Sequence, residues 1–265
     1  MEPSSTVCLP TKFERIDYLL ELLDSILNQT KLPNKILFIT NPGKIEKNIK
    51  LKNIIKKKIN NLIEYEFIES SKIGLANARN VGIENCKTDI IIFGDDDDIW
   101  HPDKIKKTIS LIAKQGKCIV RHYHSTLLGN VKKEMHYKYI PKPNVFMTGI
   151  SNFIGGGSSL SGSLCVFQTL RFKDYKFCED WDFWLRALLS EVKIIQINKD
   201  LVTYRIHSER MTGSWFANFC YETKIRFKIL SRLVLFLFGL INGFILSFLR
   251  INYLLSLKIF KMLLG

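Results

Sequence analysis

The sequence predicts an α/β protein in which helices pack on both faces of a largely parallel β-sheet. Short apolar runs at 5–10, 35–39 and 89–93 have the composition of buried strands. Between the first two of these runs, residues 16–27 carry apolar side chains at helical spacing. Strands that alternate with helices are joined by crossovers and therefore pair in parallel. A chain of 265 residues, 46% hydrophobic and 24% charged, is long enough to build such a fold.

Each element has its own local signal. The run STVCLP over 5–10 is predicted as a strand that ends at Pro10, and KILFI over 35–39 is stopped by the turn sequence NPG. The run DIIIF over 89–93 is rich in β-branched residues and predicts a buried strand. The remaining elements are predicted as an amphipathic helix over 45–63, a short strand over 64–68, a helix opening after Gly74 and a helix from His101-Pro102 to about Gln115.

The chain is strongly basic, with 39 Lys and Arg against 25 Asp and Glu, a net charge of +14 and a pI near 9.5. That balance favours nucleic acid, an anionic membrane surface or a phosphorylated substrate as a partner, although an AT-rich genome also produces much Ile, Lys and Asn. None of the six cysteines forms a CxxC pair, which excludes a zinc ribbon and a thioredoxin-type motif. Scattered cysteines, together with an N-terminus that does not resemble a signal peptide, favour the cytosol.

Four adjacent aspartates, Asp95 to Asp98, follow the third of the apolar strands. Ligands of open α/β sheets bind beyond the carboxyl ends of the strands, so a site is expected here. Adjacent carboxylates repel one another, and a hard divalent cation is their natural partner. Side chains alternate in extended backbone, which predicts that Asp95 and Asp97 face one way and the other two the opposite way. The alternative is a solvated acidic turn; an EF-hand is excluded because the fifth and sixth loop positions lack its oxygen ligand and glycine.

A second acidic cluster lies in the segment FCEDWDFWLRALL, residues 177–189. Its tryptophans and leucines have helical spacing, so Glu179, Asp180 and Asp182 fall in the first turn. The helix dipole stabilises acidic residues there, which is one explanation for them. The other is a carboxylate that acts as a general base at the rim of an aromatic-lined cleft. Between the two clusters, IGGGSSLSGS over 154–163 indicates backbone that approaches a ligand closely or moves, and no P-loop or nucleophile-elbow motif is present.

These motifs together resemble the family 2 glycosyltransferases of the GT-A fold. Seven segments carry the resemblance, in the family's order, over roughly residues 5–212. The segments are Pro10-Thr11 after the first strand, SILNQT at 25–30 with Pro33 and KILFI, GLANARNVGI at 74–83, FGDDDDIWHPDKI at 93–105, GGGSS at 155–159, EDWDFWLR at 179–186 and LVTYRIHSERMT at 201–212. The resemblance implies a Rossmann-like α/β/α sandwich of the GT-A type over residues 1–212.

Two segments depart from the family pattern. After the second strand the family usually has Asp-Asp-Gly-Ser, whose aspartate commonly binds the nucleobase, whereas this chain has Thr40 and Asn41 followed by Pro-Gly. A hydroxyl or an amide can still hydrogen-bond a base edge, but the acceptor-only carboxylate is missing. The pair Lys12-Phe13 also replaces the usual Tyr-Asn. The nucleotide of the donor is therefore left open.

The resemblance implies an enzyme that moves a sugar, with inversion, from a nucleotide-sugar donor to a glycan or a lipid-linked glycan. Bacterial lipopolysaccharide, capsule or O-antigen biosynthesis is the expected setting. Asp180 is expected to be the general base, with Asp182 and Glu179 as alternatives. Like-charge repulsion from these two neighbours would raise the pKa of Asp180 toward neutrality.

The resemblance also implies a divalent metal, Mg²⁺ or Mn²⁺, held by Asp97 and Asp95, with His207 as a further candidate ligand. Arg79 is expected either to contact the nucleotide or to pair with one of the aspartates. The other expected contacts are Pro10, Thr11, Thr40, Asn41, Gly74 and Asp96 for the nucleotide sugar, and Gly156, Gly157 and Trp181 on the acceptor side.

Two functions of other classes stay open as alternatives at this point. An acidic motif at a strand end also serves metal-dependent phosphohydrolases or phosphotransferases of the haloacid dehalogenase type, although these place it on the first strand. A nucleic-acid-binding module would explain the basic charge, but it would leave two acidic clusters unexplained.

The segment 213–265 is basic and apolar, and it is predicted to be a helical extension. Residues 233–249 contain no charged residue and lie between Arg232 and Arg250, at the short limit for a spanning helix. A helix or hairpin lying in the cytoplasmic leaflet fits better, which predicts a cytoplasmic protein peripheral on the inner face of the cytoplasmic membrane. The alternative is a helical pair packed on the catalytic domain or on a dimer partner.

Overall fold

The computed structural model of the protein describes residues 2–129, 131–133, 143–145, 148, 155–207, 222, 223 and 227. The chain divides into two units, Met1–Asn218 and Phe219–Gly265, and the fold described below belongs to the first. Among the described residues, no helix combines the length and the apolar character that crossing a bilayer requires. The segment predicted to associate with membranes, 213–265, lies almost wholly outside the described residues, so its role and the boundary near 212 stay predictions.

The first half of the sheet is parallel, as predicted. Its elements are β1 (Ser5–Pro10), α1 (Ile16–Leu27), β2 (Lys35–Thr40), α2 (Ile49–Ile59), β3 (Glu64–Glu69), α3 (Leu75–Asn85) and β4 (Ile90–Phe93). The strands lie in the order β3-β2-β1-β4, and every neighbouring pair is parallel. The helix predicted over 45–63 is shorter, because a 3-10 turn precedes α2 and the left-handed residue Asn60 ends it.

The second half of the sheet is mixed. Its elements are β5 (Ile99–Trp100), α4 (Lys104–Gln115), β6 (Ile119–Leu128), β7 (Val131–Lys133), β8 (Leu160–Ser163), α5 (Leu164–Leu170), α6 (Glu179–Leu189) and β9 (Ile194–Ile206). The order continues from β4 through β8, β6 and β9 to β5, with β7 paired to β6. Strand β8 is antiparallel to both of its neighbours, and β6 pairs with β9 in parallel. The α/β class is confirmed, and antiparallel strands extend its parallel first half.

Helices cover both faces of the sheet, which explains the continuous apolar strands. In β1, Val7 and Leu9 point to the face covered by α1, α2 and α4, whereas Cys8 points to the face covered by α3, α5 and α6. Residues in β2 alternate in the same way. Strands buried on both sides need apolar side chains at every position rather than at every second one.

Helix α3 packs directly against β1, and this contact sets the position of the side chains that α3 presents at the strand ends. Gly82 is the contact point, because a Cβ atom there would overlap the sulfur of Cys8. Both residues are fully inside the molecule, so neither can move into solvent. The glycine therefore fixes the distance between the helix and the sheet.

Replacing Gly82 with alanine should lower the free energy of unfolding by about 1–3 kcal/mol, since overpacking a tight contact forces the helix away from the strand. Urea unfolding followed by circular dichroism measures this change. The double variant Gly82→Ala with Cys8→Ala should regain most of the loss, because the clashing sulfur is gone, and Cys8→Ala alone is the control. Equal stability of Gly82→Ala and wild type would contradict the close approach.

Candidate active site

The polar residues predicted from the sequence meet at the carboxyl ends of β1, β2 and β4. Thr11 follows β1 and its hydroxyl donates to Asp96 Oδ2 over 2.8 Å, which joins the ends of β1 and β4. The backbone N–H of Thr11 donates to the carbonyl of Ile39 on β2. Pro10 and Thr40 are buried at the same edge, and no described atom hydrogen-bonds to the Thr40 hydroxyl.

The four aspartates form a turn rather than an extended segment, so the predicted alternation of their side chains is wrong. The N–H of Asp98 bonds back to the carbonyl of Asp95 at 3.4 Å. As a result, Asp96 and Asp97 face the same group, the guanidinium of Arg15, at 2.7 and 2.8 Å. A single cation pairs with two adjacent carboxylates, which an extended backbone would have held on opposite sides.

Asp98 turns into the protein interior instead of toward a ligand. One of its oxygens accepts from the N–H of Arg205 at 3.3 Å, and the other has no partner among the described atoms. Burial, reinforced by the charges of Asp95 and Asp97, raises the pKa of Asp98 well above its ordinary value. The neighbouring side chain of Lys104 is also buried, and burial lowers its pKa. Burial therefore favours the uncharged form of each group.

Asp97 and His207 are brought together, whereas Asp95 contacts a different part of the site. The Nε2 atom of His207 lies 3.0 Å from Asp97 Oδ2. Magnesium holds octahedral ligands at about 2.0–2.1 Å, which places neighbouring ligands about 2.9 Å apart. The donor set of one carboxylate and one imidazole at this spacing fits a divalent ion whose remaining ligands are water and phosphate oxygens. Within the described part of the chain, no group of three or more His, Cys, Asp or Glu side chains is placed to hold a metal.

Arg79 pairs with carboxylates, one of the two interpretations that the sequence left open. Its fully buried guanidinium donates to Asp95 Oδ1 at 2.9 Å and to Glu179 Oε1 at 2.7 Å. Burial opposes its charge, but the carboxylates of Asp95, Glu179 and Asp180 together raise the pKa of Arg79 above its ordinary value. Gly157 lies against this guanidinium, which a Cβ atom there would overlap. Gly157 is thus needed to leave space for the Arg79 guanidinium, whatever it contributes on the acceptor side.

Asp180 sits in the first turn of α6 and faces Gly156 in the glycine-serine segment 155–159, here called the glycine loop. Its Oδ1 accepts from the N–H of Trp181 at 2.7 Å, and a Cβ atom on Gly156 would lie 3.9 Å from its Oδ2. The side chain is half-buried. Burial and then the charge of Glu179 raise the pKa of Asp180 to about 7, against the opposing effect of Arg79.

The two alternatives to Asp180 are both engaged elsewhere. Glu179 is buried and ion-paired with Arg79. Asp182 is almost fully buried and pairs with Arg186 at 2.6 Å, one helical turn further on. Asp180 forms no ion pair with any described residue, which distinguishes it from the other two carboxylates of the cluster.

Three further predicted residues have a clear place in the structure. Trp181 is buried, and its indole N–H donates to the carbonyl of Thr148, so it packs inside the domain. Gly74 precedes α3 with a φ of 130°, a conformation that side chains rarely adopt. Asn41 is half-buried just beyond β2.

Sequence reasoning missed the roles of three residues that hold the site together: Arg15, Ser158 and Lys104. Arg15 binds Asp96 and Asp97 from the loop before α1. Ser158 accepts the N–H of Asp95 at 2.7 Å, and its own carbonyl accepts from Lys104 Nζ at 2.8 Å. A basic residue close to the Pro-Thr segment was the one available signal for Arg15. Nothing in the sequence indicated the connection through Ser158.

A comparison with protein families now identifies the chain. The model of glycosyl transferase family 2 matches residues 6–167, more than half of the chain. The chain belongs to glycosyl transferase family 2, as its motifs predicted.

Relatives of similar sequence are bacterial glycosyltransferases. The glycosyltransferase GlyA of Streptococcus pneumoniae serotype 4 is 26% identical over 226 residues, which cover 79% of this chain and 32% of GlyA. The amylovoran biosynthesis glycosyltransferase AmsB of Erwinia amylovora is 26% identical over 148 residues, covering 52% of this chain and 49% of AmsB. The chain thus spans about a third of GlyA and about half of AmsB.

Solved structures confirm the predicted GT-A fold. S. aureus TarS 1-349 in complex with UDP-GlcNAc matches with a TM-score of 0.62 and 16% identity, over 80% of this chain and 61% of that one. The complex of TarS 1-349 with UDP matches with a TM-score of 0.61 over 86% of this chain and 71% of that one. At this identity the likeness concerns the fold alone.

Replacing Arg79 with methionine should lower the free energy of unfolding by about 3–5 kcal/mol, because Glu179 then stays buried without a cation. Chemical denaturation measures the loss. Arg171→Met is the matched control: it removes an exposed ion pair with Glu84 and should cost at most about 1 kcal/mol. Adding Glu179→Gln to Arg79→Met should restore part of the loss, and a loss no larger than that of Arg171→Met would contradict the buried bridge.

Proposed function

We propose that the protein transfers a sugar from a nucleotide-sugar donor to a hydroxyl group of a glycan or lipid-linked glycan, with inversion at the anomeric carbon. Membership of glycosyl transferase family 2 supports the reaction class. One observation carries the mechanism: Asp180, alone in its acidic cluster, forms no ion pair with described residues and has its pKa raised to about 7. A carboxylate with that pKa accepts protons near neutral pH.

In this mechanism Asp180 takes the proton of the acceptor hydroxyl while the hydroxyl oxygen bonds to the anomeric carbon. The bond from that carbon to the diphosphate oxygen breaks on the opposite side, so the configuration inverts. Gly156 carries no side chain and leaves space beside Asp180 Oδ2 for the acceptor. Glu179 and Asp182 stay in their ion pairs and hold α6, and with it the base, in position.

The donor would lie along the ends of β1, β2 and β4. Asp96, held by the Thr11 hydroxyl, is our candidate for the ribose contact. Thr40 and Asn41 are our candidates for the base edge, supported by the buried Thr40 hydroxyl that no described atom satisfies. Pro10, Gly74 and Arg79 frame the same edge. The TarS structures that share the fold contain UDP and UDP-GlcNAc, which supports a nucleoside diphosphate sugar as the donor.

A divalent metal, Mg²⁺ or Mn²⁺, is part of the proposal. Asp97 and His207 would hold it, and Asp95 is the third candidate ligand, at present bound to Arg79. When bound, such an ion neutralises the charge that develops on the departing diphosphate. The protein's own contribution is to keep the Asp97 carboxylate and the His207 ring nitrogen at a spacing that suits neighbouring ligands.

The acceptor is proposed from relatives and from sequence alone. AmsB is named for amylovoran biosynthesis, which supports a role in a bacterial surface polysaccharide such as lipopolysaccharide, capsule or O-antigen. A lipid-linked acceptor would suit attachment of the segment 213–265 to the inner face of the cytoplasmic membrane. The match to a glycosyltransferase family favours this function over the phosphohydrolase and nucleic-acid-binding alternatives.

Asp180→Asn should reduce transfer on the order of 10²–10⁴-fold while nucleotide binding stays near wild type, because an amide cannot accept the proton. The wild-type rate should rise with pH through about 7 and level off above it, since the carboxylate is protonated below its pKa. Assays with a radiolabelled sugar nucleotide across pH 5–9 test both. A larger rate loss in the control Asp182→Asn would place the base two residues further on.

The same variant should also be more stable to heat than wild type at alkaline pH. A carboxyl whose pKa is raised in the folded protein lowers stability as the pH rises from its ordinary pKa to the raised one, and the full loss is present above about 7. Asp180→Asn should therefore melt at a higher temperature than wild type at pH 8. The difference should shrink toward pH 4, because the cost develops between the ordinary pKa of an unfolded aspartate, 3.8, and the raised pKa of about 7 in the folded protein. Calorimetry at the two pH values measures it, and a destabilised variant at pH 8 would contradict the raised pKa.

Asp97→Asn should abolish metal-dependent nucleotide binding and turnover while the fold stays intact, since a neutral amide cannot offset the charge of the cation. Thermal shift with UDP, with and without Mn²⁺, measures the binding. Near-wild-type turnover of this variant in Mn²⁺ would show that Asp97 does not hold the metal.

Full-length protein should float with anionic liposomes, and high salt should weaken this attachment without abolishing it, because the apolar run 233–249 is insensitive to screening. Deleting residues 213–265 should leave a protein that stays at the bottom of the gradient and still binds nucleotide. A full-length protein that does not float, or a truncated one that unfolds, would assign the segment to the domain core or to an interface.

A further inference from the structure

Arg15 contacts both of the atoms that would hold a metal at Asp97 and His207. Its Nη1 atom is 2.8 Å from Asp97 Oδ2 and 3.0 Å from His207 Nε2, and these two atoms are themselves 3.0 Å apart. The guanidinium nitrogen is thus in contact with both candidate ligand atoms at once. Its other terminal nitrogen binds Asp96 at 2.7 Å.

The Nε2 atom of His207 cannot hydrogen-bond to both Arg15 and Asp97, but its position suits a metal ligand. A neutral imidazole nitrogen carries either a hydrogen or a lone pair. It therefore cannot donate to Asp97 Oδ2 and accept from Arg15 Nη1 at the same time. A divalent cation in place of the arginine nitrogen would use the lone pairs of both atoms.

The surroundings hold His207 in place while leaving Arg15 able to withdraw. The ring of Tyr18 lies 5.5 Å from that of His207, centre to centre. The side chain of Arg15 is 21% exposed, more than those of Asp96, Asp97 and His207. Arg15 also precedes α1, in the loop that follows Thr11. A change of its rotamer needs no movement of the sheet.

We propose that Arg15 is a built-in counter-ion that holds the metal site in shape when no metal is bound and competes with the divalent ion for Asp97 and His207. The identity of the ion rests on the proposed function, whereas the competition rests on these contacts. Binding of metal requires Arg15 to leave Asp97 while it can keep Asp96. A nucleoside diphosphate favours that exchange, because its charge offers the displaced guanidinium a new partner. The metal should therefore bind weakly alone and strongly together with the nucleotide.

The test is to titrate Mn²⁺ alone, without nucleotide, into wild type, Arg15→Met, Arg15→Gln and Arg15→Lys, following free Mn²⁺ by electron paramagnetic resonance. The methionine and glutamine variants should bind Mn²⁺ on the order of tenfold more tightly than wild type, because the competing cation is gone. The lysine variant should stay nearer to wild type. Lys44→Met is the matched control, since it removes one positive charge from an exposed pair with Glu14.

A thermal-stability measurement covers the case in which removal of Arg15 weakens the fold. Arg15→Met should melt below wild type in EDTA, and Mn²⁺ should raise its melting temperature more than that of wild type. Unchanged or weaker Mn²⁺ affinity in both uncharged variants would overturn the competition. The same gain of affinity in Lys44→Met would also overturn it, since the effect would then come from net charge.

Failure of this inference can be distinguished from failure of the proposed metal site. If Asp97→Asn loses Mn²⁺ binding but the uncharged Arg15 variants show no gain, the metal site stands and the role of Arg15 falls. If Asp97→Asn binds Mn²⁺ as wild type does, the metal site itself is wrong, and the competition falls with it.

Discussion

The buried ion pair network of Arg79 is the interaction on which the rest of the site depends. Its guanidinium joins Asp95 at the end of β4 to Glu179 at the start of α6. A buried charge that loses a partner destabilises a protein strongly, so the three groups form a unit. The unit can form because Gly82 lets α3 bring Arg79 close to the sheet. Gly157, which has no side chain, leaves space for the guanidinium. Backbone packing and charge balance are therefore parts of the same constraint.

The network also explains how several neighbouring carboxylates acquire different properties. Most of them are ion-paired: Arg15 binds two, Arg79 binds two and Arg186 binds Asp182. Asp180 lies among them in a half-buried position with its charge only partly compensated. Sites that need one group to exchange protons near neutrality commonly push the pKa values of similar side chains apart. Here the difference arises from the burial of Asp180 together with the ion pairs that hold the neighbouring carboxylates.

The first half of the fold could be predicted because its signals are local. Apolar runs such as 35–39 and helices with regular spacing need no knowledge of distant partners. Strand β8 could not be predicted, since its sequence LSGS is strand only through antiparallel pairing with β4 and β6. The acidic residues of the site were found because clusters of like charge are conspicuous. Arg15 was missed because its partners lie 81 and 82 residues away and it belongs to no pattern.

Ser158 links the glycine loop to the aspartate turn and to Lys104 through two different atoms of one residue. Its hydroxyl accepts from the backbone of Asp95, and its carbonyl accepts from the buried Lys104 behind the aspartate turn. A displacement of the glycine loop would therefore also displace the aspartate turn. Substitutions within residues 155–159 are therefore expected to disturb the aspartate turn as well, because Ser158 bonds to it. Sequence change that leaves the aspartate turn intact is thus directed toward segments that do not contact it.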